Sequence, residues 1–360
     1  MSATDILEAD PGTGTETLVT VQGFRDLSWL SLAKNDFCVN RSSGESRMYG
    51  YIVKRILATI PVMAVVAVFV FGLLHLTPGD PAAIIAGDYA SPSDIEQIRE
   101  KLGLNEPIPV QFYTWVKSVA QGDLGISIFS NLPVTKLIGQ RVEPTLMLTL
   151  FTIIIAIAVA IPLGVLAAWK SRTFIDRFAM IFAVLGFSVP VFVIGYMLMY
   201  VFAIQLKWLP VQGYKHLADG WIPCLKSLVL PSIALGVVYI ALIARITRAS
   251  VMEVLSEDYI RTAKAKGLSS RVVLTRHALK NAAVPIVTII GVGIALLIGG
   301  VVVTESVFNI PGLGRLTVDA ILHRDYPVIQ AIIILFSGVY VLVNLLVDLS
   351  YVFLDPRIRY

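Results

Sequence analysis

A chain of 360 residues that is 56% hydrophobic and only 15% charged, with a mean hydropathy of +0.77, has too little polar surface to cover a soluble globule. The composition places it in a membrane, with lipid as its first partner, and excludes a soluble enzyme. The formal net charge of +4 is accounted for by membrane topology and calls for no nucleic acid.

Residues 1–47 hold seven acidic and four basic side chains and no apolar segment after a basic start. That is neither a signal peptide nor a packed domain, so a disordered N-terminal extension is expected. Six stretches then lack any Asp, Glu, Lys or Arg: Ile56 to Gly79, Thr145 to Trp169, Phe178 to Gln205, Ser227 to Ala244, Asn281 to Thr304 and Tyr326 to Val347. Each is near or above the roughly 20 residues that a spanning helix needs. The expected fold is an all-α integral membrane protein with six transmembrane helices. Placing alternate loops on opposite sides gives one face fifteen basic residues outside the extension and the other ten. The positive-inside rule therefore puts both termini and the loop 253–281 in the cytoplasm. Cys38 and Cys224 then lie on opposite sides and cannot pair; neither has metal-ligand neighbours, and no metal or cofactor is expected.

The first helix, within 48–77, ends at TPGDPA, where Pro78, Gly79 and Pro81 break it. The loop 78–138 is read as extracytoplasmic. In it Ser91 and Asp94 form a capping box around Pro92, and Ile95, Ile98 and Leu102 make one stripe of an amphipathic helix. Val110 to Val119, with Phe112, Tyr113 and Trp115, lies in the interface or packs on helix ends. The run Gly122, Asp123, Leu124, Gly125, Ser127 is a structural turn or a receptor-facing element. A core domain is set at 139–348, followed by a cytoplasmic tail at 349–360. Pro162, Pro190, Pro231 and Pro285 fall in or near spans and mark either hinges along a pathway or packing kinks. Trp208 and Trp221 are expected as interface anchors. Gly291, Gly293, Gly299 and Gly300 permit close helix contact, Glu305 caps or pairs locally, and Pro311, Gly312 and Gly314 turn the chain back.

The polar loop 253–281 reads EVLSEDYIRTAKAKGLSSRVVLTRHALKN. Ser256 is the expected N-cap of a helix from about Glu257 to Lys266, with Glu257 and Asp258 in the first turn and Gly267 as the stop. Ser269 or Ser270 caps a second helix, with Leu268, Val272, Val273 and Leu279 on one side and Arg271, Arg276 and Lys280 on the other. Ala263 and Ala265 leave a shallow surface beside Tyr259. On composition alone, this is the basic helical loop of any membrane protein.

The spacing goes further. Ala263, Gly267 four residues on and Leu279 twelve beyond that resemble the loop by which permeases of ATP-binding cassette importers engage their ATPases. Arg261, Thr262 and Lys280 stand where the general pattern has glutamate, alanine and proline. The strings YIRTAKAKG and RHALKNAAVP instead resemble the dipeptide, oligopeptide and nickel permeases. So do MYGYIVKRIL from Met48, the GDLGxS run, ESVFNIPGLGR and the closing LDPRIRY, in order from Met48 to Tyr360. The resemblance implies the type I importer permease fold in the cytoplasmic (inner) membrane. It also implies a second similar permease, two ATPase subunits and an extracytoplasmic substrate-binding protein as partners. Tyr259, Arg261, Ala263, Gly267 and Leu279 are the candidate ATPase-coupling residues. Peptide is the expected cargo, with nickel or glutathione as alternatives.

Two rivals are weaker. No GxxxxGK[ST] loop is present, so ATP hydrolysis falls to a partner. Gly186, Phe187 and Ser188 give the GxS of an intramembrane protease, but His75, His216, His277 and His323 all lie at helix ends or in loops, so no catalytic residue is assigned. A channel explains the bundle but not the docking loop.

Overall fold

The computed structural model of the protein describes residues 54–73, 75, 82–83, 91–101 and 103–354. The expectations for the 1–47 extension, Cys38, the TPGDPA turn, Leu102 and the closing DPRIRY lie outside the described residues, as do those for the side chains of Asp94 and Ile98.

Among the described residues, four helices are long and apolar enough to cross a bilayer: α1 (Lys54–Leu73), α4 (Val134–Trp169), α7 (Trp221–Leu255) and α12 (Tyr326–Leu354). Between α1 and α4 lie α2 (Pro92–Lys101) and α3 (Ile108–Ala120). The third expected span is two pieces: α5 (Phe174–Ser188), and α6 (Val191–Leu198) continued by π-type turns over Met199–Gln205, bent by 102°. Pro190 causes the break: it has no N–H to give back to α5, and its ring drives Val189 into extended backbone, φ −87°, ψ 126°. The short helix α8 (Asp258–Ala265) precedes α9 (Ser270–Asn281), which meets α10 (Ala283–Val307) at 60°. The chain closes with α11 (Leu313–Leu322) and α12. Counting each bent pair as one span gives the six that the charge-free stretches imply.

The stretches located the spans but not their ends. At 1.5 Å per residue, the 35-residue α7 is about 52 Å long, well beyond the roughly 30 Å of hydrocarbon. It does not stop at its first arginine, because its backbone hydrogen bonds and packing continue into the polar region.

α7 is the centre of the bundle. Within its most apolar stretch 72% of residues are buried inside the chain, against 28% for α4, 11% for α1 and 6% for α12. Its main neighbour is α4, whose Leu148, Thr152, Ala156, Ala160, Gly164 and Ala168 are all buried at four-residue intervals. This row of mostly small side chains lets the two backbones approach. At Gly164 a β-carbon would lie 2.7 Å from the Ala244 carbonyl oxygen and from Cβ of Thr247. The expected close contact at Gly291 is made against Val347 of α12, and Gly293 faces the Tyr239 ring. Gly299 and Gly300 fall where the packing is outside the described residues.

At the end of the bundle away from loop 253–281, buried polar clamps hold the elements together. Glu305, near the end of α10, is fully buried and pairs as expected. Its carboxylate accepts the Thr145 hydroxyl of α4 at 2.6 Å and the Arg315 N–H of α11 at 2.9 Å, while Thr145 Oγ1 accepts the Leu313 N–H at 2.8 Å. Asp325 does the same for the GDLGxS run, accepting the Ser127 hydroxyl and the N–H groups of Ile128 at 3.1 Å and Phe129 at 3.4 Å. That run is accordingly a structural turn. Glu143 accepts Tyr214 Oη at 3.0 Å and Leu217 N–H at 2.8 Å and lies 3.1 Å from His216 Nδ1, closing the loop between α6 and α7 onto α4. Burial pushes the Tyr214 phenol above its usual range, so it stays a donor. α3 packs on the end of α1, with Phe112 5.3 Å and Trp115 5.7 Å from the Phe71 ring.

Thr145→Val removes a hydroxyl that serves two partners and is expected to cost about 1–3 kcal/mol, because the Leu313 N–H stays buried and unpaired. Gly312→Ala, whose methyl group would overlap the Glu305 carboxylate, is expected to cost more. Thermal unfolding of the purified protein in detergent should show both midpoints lowered, with exposed Ser306→Ala as an unchanged control.

Candidate functional site

α7 runs straight into the loop that the sequence singles out. Ser256 closes α7: its backbone N–H and its hydroxyl both donate to the Glu253 carbonyl, at 3.1 and 2.6 Å. It is therefore not the N-cap of the next helix. That position falls to Glu257, with extended backbone and no side-chain cap, because α7 reaches Leu255 and captures the serine first. Asp258 occupies the first turn of α8 and Lys264 the last, each at the favourable end of the helix dipole.

Gly267 ends α8 as expected. Its φ of +80° is the left-handed conformation that glycine adopts without strain. Gly267 N–H donates to Lys264 C=O at 2.9 Å and Leu268 N–H to Ala263 C=O at 3.3 Å, a complete Schellman closure.

Ala263 does not lie on the outer surface. With Ile260 it forms the buried face of α8, packed on Val273 of α9 and Leu255 of α7. Its small side chain sets how closely α8 sits on α9. The outer face of α8 presents Tyr259, Arg261, Lys264 and Ala265. The Tyr259 hydroxyl accepts Asn281 Nδ2 at 2.6 Å, tying the start of α8 to the end of α9. Arg261 is exposed and 3.3 Å from Asp258.

The inward face of α9 departs from the expected spacing. Val273 through Ala278 form π-type turns, so Val273, Leu274 and Ala278 are buried, Val272 and Leu279 half-buried, and Leu268 exposed outside the helix. The wider turn brings residues five apart into line, which a search for 3.6-residue spacing misses. Leu279 packs against the cluster formed by Ala168, Val251, Leu274, Ala278, Ala282 and Ile286. Arg271, Arg276 and Lys280 are exposed as expected. Of the five candidate residues, the fold therefore joins Tyr259 to Asn281, buries Ala263, places Gly267 in the closure, half-buries Leu279 and leaves Arg261 exposed beside Asp258.

An unforeseen ion pair braces α7 just before the loop. Asp176, buried in the first turn of α5, accepts Arg248 Nη2 at 2.8 Å and Nε at 2.5 Å, and also the Arg172 N–H at 2.9 Å. The sequence signal was present only as an acid at a helix start facing a basic run. Ser188 of the GxS donates to its own helix, at Val184 C=O, 2.8 Å away.

Comparison with known proteins bears on the family and the fold. Residues 160–360 match the model of the binding-protein-dependent transport system inner membrane component, and residues 48–149 match the N-terminal region of such membrane components. A probable peptide ABC transporter permease of Sinorhizobium fredii is 57% identical over 310 residues, 86% of this chain and 99% of its own. The glutathione transport system permease of Escherichia coli is 46% identical over 314 residues, 87% of this chain and all of its own. An inward-facing structure of the MetNI methionine ABC transporter has the same fold, with a TM-score of 0.51 at 16% identity over 61% of this chain and 96% of that one. The chain belongs to the family of binding-protein-dependent transport system inner membrane components.

Proposed function

We propose that the protein is one of two paired permeases in an ATP-driven importer of peptides. In this reading two partner ATPases supply the energy, and an extracytoplasmic binding protein delivers the cargo. Loop 253–281 and both termini face the cytoplasm, as the distribution of basic residues supports. Tyr259 and Arg261 touch the ATPase, whereas Ala263, Gly267 and Leu279 position the helix that does so.

The observation that carries this reading is the seating of α8. Its inner face rests on Leu255, the last residue of the most buried helix, and on Val273 of α9. A push on its outer face is thus delivered to α7 and, through α9, to α10. Peptide as cargo is supported by the name of the Sinorhizobium relative. The E. coli relatives are named for glutathione, itself a tripeptide, which falls within the same class.

Three experiments test the proposal. In the reconstituted complex, Gly267→Val places a branched side chain at positive φ, a strain of about 1–2 kcal/mol. It is expected to cut uptake at least roughly tenfold while insertion and co-purification of the permease persist; unchanged uptake refutes the coupling role. A membrane-impermeant maleimide should label Lys264→Cys in inverted but not in right-side-out vesicles. Turnover of ATP should respond to peptides delivered by the cognate binding protein, and stimulation by nickel but by no peptide overturns the cargo assignment.

A further inference from the structure

α7 carries two arginines within one turn, and their settings differ. Arg248 is held by both oxygens of Asp176. Arg245 lies three residues nearer the apolar part of α7; it is exposed, and among the described residues it has no ion pair or side-chain hydrogen bond. The only acid on the adjoining stretch of α5 is Asp176, whose oxygens are already taken by Arg248 and the Arg172 N–H.

Arg245 lines a cavity of about 150 Å³ together with Met180, Phe187, Ser188 and Leu242. The α5 residues of this wall extend from Met180 to Ser188, about 12 Å along the axis, and end at the 102° break before Val191. Helical side chains lean toward their own N-terminus, so Arg245 leans away from the loop and toward that break. A guanidinium facing lipid costs at least roughly 2.5 kcal/mol at the bilayer centre and less toward the interface, where a long side chain reaches water. A break in a spanning helix is tolerated only where protein covers it or water reaches it. Here Phe187, Ser188 and Pro190 are exposed on the surface of the chain. The same patch therefore holds an unpaired cation, an interrupted backbone and a cavity.

We infer that Arg245 lines the water-filled translocation pathway and pairs there with the carboxylate of the passing substrate, with Met180 and Phe187 supplying apolar contact beside it. The inference rests on the peptide reading above: a peptide's invariant anion is its C-terminal carboxylate, which suits the five-donor fork of arginine. Sequence reasoning missed the residue because it sits just past the charge-free stretch 227–244, and so counted only toward the topology of the loop.

The test uses the complete transporter in vesicles with its binding protein, with Arg245→Gln, Arg245→Lys and Arg245→Cys, the last in a chain carrying Cys38→Ser and Cys224→Ser. Losing a charge-assisted hydrogen bond should lower uptake of a free-carboxylate dipeptide by about tenfold or more in R245Q, whereas R245K, which keeps the charge but not the fork, should recover part of that loss. Uptake by the cysteine variant should be low, restored by a cationic aminoethyl thiosulfonate and not by a neutral methyl one. The inference is overturned if R245Q moves the dipeptide at the wild-type rate or if both reagents act alike. It is also overturned if the loss appears only in vesicles containing anionic lipid, which assigns the arginine to a headgroup phosphate. If the wild-type complex moves no peptide, the cargo reading fails and this inference with it; if wild type and R245Q move peptide equally, only this inference fails.

Discussion

Helix α7 can be central only because α4 gives it room. A spanning helix gains little from hiding its apolar side chains, since lipid is as apolar as leucine; what favours association is close packing. The four-residue row from Leu148 to Ala168 supplies it, with Gly164 set directly against the Ala244 carbonyl and Thr247. Two helices dock on this pair through glycine: α5 through Gly186 against Val237, and α10 through Gly293 against Tyr239. Bulk at any of these positions would push α7 outward and expose a surface whose only alternative partner is lipid.

The far end of the bundle follows the opposite logic. There the chain must turn, and turning frees N–H groups, some of them partly buried, that need an acceptor. Three carboxylates collect them: Glu305 for α11, Asp325 for the run before α4, and Glu143 for the loop before α7. Each accepts at least two donors, at least one of them from a segment distant in sequence. A buried acceptor that loses its donors costs more than the pair contributed, so these clamps specify geometry more than they add stability.

Much of this was legible in the sequence. The number of spans, the loop with its stop at Gly267, and the turn character of Gly122 to Ser127 all follow from charge-free length, the φ preference of glycine and motif spacing. What was not legible involves direction. Charge counting does not reveal that Pro190 bends its span by 102°, since proline in a span is compatible with a mild kink. The 3.6-residue template misplaced the inner face of α9 because the helix widens between Val273 and Ala278. Ala263 read as an outward platform because a small residue serves equally well under a neighbouring helix, and only packing decides between the two. Glu305 and Asp176 look like ordinary boundary acids until their partners, more than 70 positions away in the chain, are in view.

The two ends place different mechanical demands on the same helix. A relay must be stiff along its length and free to change on one flank. α7 satisfies the first demand: it is continuous from Trp221 to Leu255, buried on most sides, closed by Ser256 and braced by the Asp176 to Arg248 pair. The flank formed by α5 and α6 satisfies the second, because the break at Pro190 interrupts the hydrogen-bond ladder and leaves a wall whose outer residues, Phe187 and Ser188 among them, are exposed. Arg245 stands where these two surfaces meet, one turn beyond the brace. A displacement of α7 small enough to leave the Arg248 pair intact still moves the Arg245 guanidinium relative to α5. On the proposed reading, the rigid helix carries the push from the loop directly to Arg245.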